Sequence, residues 1–252
     1  WDELKARIEP EDRCIYGFFH PSLADEPLVF IEVALMDEMP DSIDMILLEN
    51  RKIMTSKASR TAVFYSISNC QDGLRGIPLG SFLIKQVVED LKTRFPSLKE
   101  FVTLSPVPGF ASWMRENASA EFDTDTIGEA RPDEALKPQI MAAAAHYLCA
   151  EKSGAGMPRD PVARFHLGNG ARLERLNWNA NLSKAGQLQS FGVMANYHYK
   201  LDDIELNHER FFELGTIAAT ATVTKLAKAH RDRPQAAQIA EAEIAPAPAT
   251  AN

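Results

Sequence analysis

The sequence predicts an α/β fold, a mixed sheet with flanking helices, on three observations. Residues 28–36 (LVFIEVALM) form an almost unbroken apolar run of strand formers, as a strand buried on both faces requires. Residues 61–105 read strand, glycine-bearing loop, helix, strand, the pattern of a βαβ crossover between parallel strands. The helix in that unit shows apolar residues at three- and four-residue intervals, the mark of one buried face.

The chain has 252 residues, 45% hydrophobic and 25% charged, enough for one large domain or two small ones to bury a core. A formal net charge of −8 works against broad attraction to nucleic acid or an anionic membrane, so a polyanionic ligand must meet a local basic patch. Cys14, Cys70 and Cys149 are odd in number and outside any C-x-x-C spacing, which argues against a disulfide framework and for a reducing compartment. No run is apolar enough for a bilayer span, and neither a nucleic-acid nor a membrane partner is expected. Trp1 opens in a helical context without an initiator Met, so residues 1–11 read as the end of an upstream portion or a linker.

In chain order, residues 28–36 give the first core strand and residues 61–68 (TAVFYSIS) the second. Residues 69–78 (NCQDGLRGIP) follow as a loop by their Asn, Gly and Pro content. Leu79, Phe82, Leu83, Val87, Val88, Leu91 and Phe95 then mark an amphipathic helix that Pro96 stops. Residues 101–105 (FVTLS) make the next strand. Parallel strands end at one edge of the sheet, so the loop at 69–78 and Ser105 should share the crevice where open α/β sheets bind ligands. Residues 133–151 have helical composition, broken by residues 153–158. Residues 162–167 and 171–178 flank Gly168-Asn169-Gly170 and predict a hairpin, with His166 near its tip. Residues 194–201 predict a strand and residues 213–229 a last helix. Residues 231–252 form an Ala/Pro/Glu tail that reads as disordered, which leaves residues 12–230 as the main domain.

The chain lacks the G-x-S-x-G, G-x-x-x-x-G-K-[ST] and H-E-x-x-H motifs, and its six histidines are not spaced as a metal pair. No metal is expected. The loop ahead of the helix is more suggestive, because a helix N-terminus offers free N–H groups and glycines let a pyrophosphate approach them. Gly73, Gly76 and Gly80 fit that use, although glycines in such a turn also serve backbone geometry alone. Ser105, held in Ser-Pro-Val-Pro-Gly-Phe, either presents a hydroxyl or begins a turn. His166 is either a general acid near neutrality or an exposed edge histidine. Tyr197 and Tyr199 share a strand face as hydroxyl donors or core residues. Cys70 fits a small apolar filler better than a nucleophile.

Five ordered blocks carry a family resemblance: YGFFHPSLADEPLVFIEVAL (16–35), FYSISNCQDGLRGIPLGSFLIKQVV (64–88), TLSPVPGF (103–110), PVARFHLGNGARLERLNW (161–178) and GVMANYHY (192–199). Together they resemble the catalytic domain of malonyl-CoA decarboxylases. The resemblance implies a GNAT-like (acyl-CoA N-acyltransferase) fold and a CoA site at Gln71, Asp72, Gly73, Leu74, Arg75, Gly76 and Ile77. It implies Ser105 and His166 as the catalytic pair and Tyr197 as a further active-site hydroxyl. The loop departs from the usual acetyltransferase pattern, with Leu74 at the fourth position from Gln71 where a glycine is usual. Malonyl-CoA and acetyl-CoA are the implied ligands, and a homo-oligomer is expected. With no Ser-Lys-Leu ending, the cytoplasm is the expected location. The implied reaction converts malonyl-CoA to acetyl-CoA and carbon dioxide through a thioester enolate and needs no cofactor, since the thioester carbonyl takes up the electron pair. A CoA-dependent acyltransferase and a non-catalytic CoA-binding module are the competing expectations.

Overall fold

The computed structural model describes residues 7–48, 50–51, 53–55, 58–74, 80–117, 133–154 and 156–232. A seven-stranded mixed sheet forms its centre. Strand β1 (Arg13–His20) pairs antiparallel with β2 (Leu23–Met36), which pairs antiparallel with β3 (Thr61–Asn69) after the short helix α1 (Asp44–Leu47). Helix α2 (Gly80–Arg94) then returns the chain to β4 (Glu100–Thr103), which runs parallel to β3 from Thr61↔Glu100 to Phe64↔Thr103. The expected βαβ crossover is therefore present.

Beyond it come β5 (Ser105–Pro106), α3 (Phe110–Asn117), α4 (Lys137–Cys149), α5 (Pro161–Gly168), β6 (Arg172–Asn177), α6 (Lys184–Ser190) and β7 (Met194–His198). Helices α7 (Ile204–Leu214) and α8 (Ala221–Arg231) complete the described part. Strand β7 is antiparallel to β4, β5 and β6. No described helix is long and apolar enough to cross a membrane.

Side-chain alternation divides the core between the two faces of the sheet. Ile31, Val33, Leu35, Ala62, Phe64, Phe101, Ala195, Tyr197 and Tyr199 enter the larger core with residues of α2 to α5. Ala34, Val63, Val102, Leu104 and Met194 enter a smaller one with Ile46. Helix α2 buries Leu83, Ile84, Val87, Val88 and Leu91. Each such side chain contributes about 1.5–3 kcal/mol relative to exposure. Phe82, expected on the buried face, is 58% exposed, and Ile84 takes its place. A helix presents only one apolar stripe, and residues 83, 84, 87, 88 and 91 already fill it.

Two further expectations are corrected. The helix expected at 213–229 is two helices, because Gly215 takes a left-handed φ of 62° and closes α7 while Thr220 caps α8. The hairpin expected over 162–178 is half right, since β6 is a strand but residues 161–168 are helical. His166 therefore stands on a helix, not at a hairpin tip, and is only 4% exposed. Of the expected terminal segments, residues 1–6 and 233–252 lie outside the described residues.

Candidate active site

The parallel pairing of β3 and β4 stops at Phe64↔Thr103, and there the two strands part. Strand β3 continues to Asn69 along β2, while Ser105 and Pro106 pair with Ala195 and Met194 of β7. The opened edge holds a cavity of about 420 Å³, walled by residues 64–67 and Asn69 of β3, Ser105 and Pro106 of β5, and Pro161, Val162, Phe165 and His166 of α5. This is the crevice the crossover pattern predicts. Its walls place Ser105 and His166 together, although 61 residues separate them in the chain.

Local chemistry explains why α5 is a helix. Asp160 accepts hydrogen bonds from the backbone N–H groups of Val162 at 2.9 Å and Ala163 at 2.8 Å, and Pro161 occupies the first turn. At the other end Gly170 takes φ +81°, and a Cβ there would collide with the Ile204 carbonyl oxygen. The glycines after His166 thus end a helix against α7. His166 lies one turn after Val162, so both face the cavity.

His166 Nε2 is 3.0 Å from Ser105 Oγ, and its Nδ1 is 2.8 Å from the Tyr199 hydroxyl. The Ser105 hydroxyl donates to Thr103 Oγ1 at 2.8 Å, and that oxygen also accepts the Tyr197 backbone N–H at 3.1 Å. The Tyr197 ring stacks on the imidazole with centroids 4.6 Å apart. Both nitrogens of His166 meet hydroxyls, and burial pushes its pKa down to about 3. The ring is neutral at physiological pH. Burial also raises the Tyr199 phenol well above its usual value, so it keeps its proton.

Among the described lining residues none is an Asp, Glu, Lys or Arg. A carboxylate entering the cavity loses hydration and meets only neutral hydrogen-bond donors among those residues. Gln71, at the head of the expected CoA loop, donates through Nε2 to Glu26 at 3.2 Å and to the Pro27 carbonyl at 3.4 Å. Asp72, Gly73 and Leu74 form a 3₁₀ turn just after the cavity-lining Asn69. Arg75, Gly76 and Ile77 lie outside the described residues.

Of the sequence-derived candidates, Ser105 and His166 meet directly. Tyr197 contributes its ring face, while its buried hydroxyl has no hydrogen-bond partner among the described residues. The tyrosine hydroxyl that reaches the imidazole belongs to Tyr199. Thr103 escaped the sequence reading, yet its position two residues before Ser105 puts both hydroxyls on one face of an extended chain. Asp160-Pro161 was likewise a legible helix start.

Comparison with known proteins bears on this site. The family model described as "Malonyl-CoA decarboxylase C-terminal domain" matches residues 1–237. Mitochondrial malonyl-CoA decarboxylase of Mus musculus is 35% identical over 262 residues, covering 90% of this chain and 53% of that protein. The goose enzyme, from Anser anser anser, is 35% identical over 259 residues, covering 88% of this chain and 51% of that protein. Thus the chain spans about half the length of the curated relatives it matches. A crystal structure of malonyl-CoA decarboxylase from Rhodopseudomonas palustris is 50% identical with a TM-score of 0.81, over 90% of this chain and 55% of that one. One from Agrobacterium vitis is 48% identical with a TM-score of 0.83, over 90% and 60%.

Proposed function

This chain belongs to the malonyl-CoA decarboxylase C-terminal domain family, and from that premise we propose that it decarboxylates malonyl-CoA to acetyl-CoA and carbon dioxide. The observation that carries the proposal is the contact between His166 Nε2 and Ser105 Oγ on the wall of a cavity whose described lining residues include no Asp, Glu, Lys or Arg. Residues 12–230 act as one catalytic domain of GNAT-like type, and the loop from Gln71 to Ile77 takes the CoA pyrophosphate and pantetheine. That loop follows directly on the cavity rim at Asn69, so the acyl end of a CoA ester bound there reaches Ser105 and His166.

Carbon dioxide leaves when the bond between the carboxylate carbon and Cα breaks and its electron pair passes into the thioester carbonyl, giving an enolate. Charge then moves from a carboxylate to a carbonyl oxygen, so a site is catalytic if it favours the second over the first. The cavity offers a carboxylate no cation among its described lining residues, which disfavours the ground state. Once substrate is bound, the Ser105 hydroxyl turns from Thr103 to hold the carboxylate by a hydrogen bond, or relays the proton. His166 is the proton source, and a neutral imidazole N–H is acid enough for a carbanion as basic as a thioester enolate. The proton that replaces carbon dioxide on Cα is restored to the site from water, so the sum is malonyl-CoA plus one proton giving acetyl-CoA and carbon dioxide. Three free cysteines suit a reducing compartment such as the cytoplasm, although the mouse and goose relatives are named as mitochondrial.

The test is to mix the purified chain with malonyl-CoA and no acyl acceptor. Acetyl-CoA and carbon dioxide should form in equal amounts. Turnover only after an amine or alcohol is added would establish an acyltransferase instead, and CoA-ester binding without turnover a binding module.

A further inference from the structure

The hydrogen bonds around His166 have a direction, which follows from the donation of the Ser105 hydroxyl to Thr103. Ser105 has one hydroxyl proton, and it is donated to Thr103 Oγ1 at 2.8 Å. At the 3.0 Å contact with His166, Ser105 Oγ must therefore accept, so Nε2 carries the ring proton. A neutral imidazole has only one N–H, which leaves Nδ1 as an acceptor for the Tyr199 hydroxyl at 2.8 Å. The chain runs from Tyr199 through His166 and Ser105 to Thr103. Thr103 is fully buried, and its hydroxyl oxygen is held by a second donor, the Tyr197 backbone N–H.

From this geometry we infer that Thr103 is the positioning residue that sets the tautomer of His166, by taking the Ser105 proton and so keeping the proton of the imidazole on Nε2, the nitrogen that faces the cavity side. Without the Thr103 oxygen, the Ser105 proton turns to its other neighbour, Nε2. His166 then holds its proton on Nδ1, against Tyr199, and presents a bare nitrogen to Ser105. The same residues remain in contact, yet the site has lost its N–H donor where the reaction needs one. Thr103 acts through Ser105 and His166 and touches no reacting atom. Its kinetic consequence rests on the decarboxylase proposal, whereas its tautomeric consequence does not.

The test uses the full chain labelled with ¹⁵N-histidine and long-range ¹H–¹⁵N correlation, without substrate. Among the six histidines, His166 is assigned by its disappearance in His166→Gln. The wild-type ring should show a protonated Nε2 and a bare Nδ1, and the reverse pattern overturns the inference. Thr103→Val should shift the ring toward the Nδ1–H form, and Thr103→Ser should keep the wild-type form. If Thr103→Val does not fold, the wild-type tautomer and its retention in Thr103→Ser decide the matter. A folded Thr103→Val that keeps Nε2 protonated overturns the assignment. With malonyl-CoA, kcat in Thr103→Val should fall by about 10- to 100-fold, less than the 10²–10⁴-fold loss of a general acid itself, with KM unchanged and kcat restored in Thr103→Ser. A wild-type chain inert toward malonyl-CoA would defeat the decarboxylase proposal and leave the tautomer result standing.

Discussion

His166 and His198 are two largely buried imidazoles near opposite faces of β7, and their neighbours give them different work. His166 lies beside the face that carries Tyr197 and Tyr199, with hydroxyls on both nitrogens. His198 points the other way. Its Nε2 is 2.9 Å from Glu100 of β4, its Nδ1 is 3.7 Å from Glu174 of β6, and Glu174 also holds Arg172. The neighbouring His198 imidazole, with the Arg172 guanidinium, holds the Glu174 carboxyl below its ordinary range. One site ties three strands together through carboxylate contacts, and the other removes charge from an imidazole to leave it a neutral donor. Burial alone does not decide a histidine's role; the presence or absence of a carboxylate does.

The widest gap between the two sites should be kinetic. His166→Ala should lower kcat by about 10²–10⁴-fold with little change in affinity for the CoA portion, whereas His198→Ala should leave kcat within about threefold. Steady-state assays of both variants check this, and a His198→Ala defect as large as that of His166→Ala would erase the contrast. Ser105→Ala should fall in the same range as His166→Ala. The double variant should be scarcely slower than the poorer single one, because residues that act as a unit are strongly non-additive. Multiplying losses would mean that the two work separately.

A pH series sharpens the comparison. The pKa of His166 is depressed to about 3 in the folded chain, so its stabilising contribution is complete above the unfolded value near 6.5 and is lost as pH falls from there toward 3. The stability advantage of wild type over His166→Gln in urea unfolding should therefore shrink steadily from pH 7 to pH 4. A constant difference across that window would mean that the ring is not held neutral. The smallest effect belongs to the charged site. Glu174 is partly exposed, so Glu174→Gln should lower Tm by only about 1–4 °C, with kcat unchanged.

How much of this was legible depended on the range of the interaction. The β3–α2–β4 unit could be read because its signals are local, namely apolar period, loop residues and a proline stop. The crevice followed from topology, since parallel strands end together. The segment from Pro161 to Gly168 was misread because Val162, Phe165 and Leu167 suit a strand and Gly168-Asn169-Gly170 suits a hairpin turn. Asp160 outweighed those preferences by capping two N–H groups, and the close approach of Ile204 to Gly170 ended the helix. Phe82 was assigned to the core on spacing alone, which cannot say which edge of an apolar stripe meets the sheet.

The sequence by itself determined the α/β class, the crossover and, through five ordered blocks, the family with Ser105 and His166 as its candidate pair. Periodicity, turn chemistry and motif order are properties of neighbouring residues, and they survive without a fold. Only the tertiary structure decided that His166 stands on a helix, that Tyr199 rather than Tyr197 offers it a hydroxyl, and that Thr103 takes the Ser105 proton. A hydrogen bond depends on angstroms and on which partner has a proton to give. Those quantities exist only once β3 and β4 have parted and α5 has closed the gap between them.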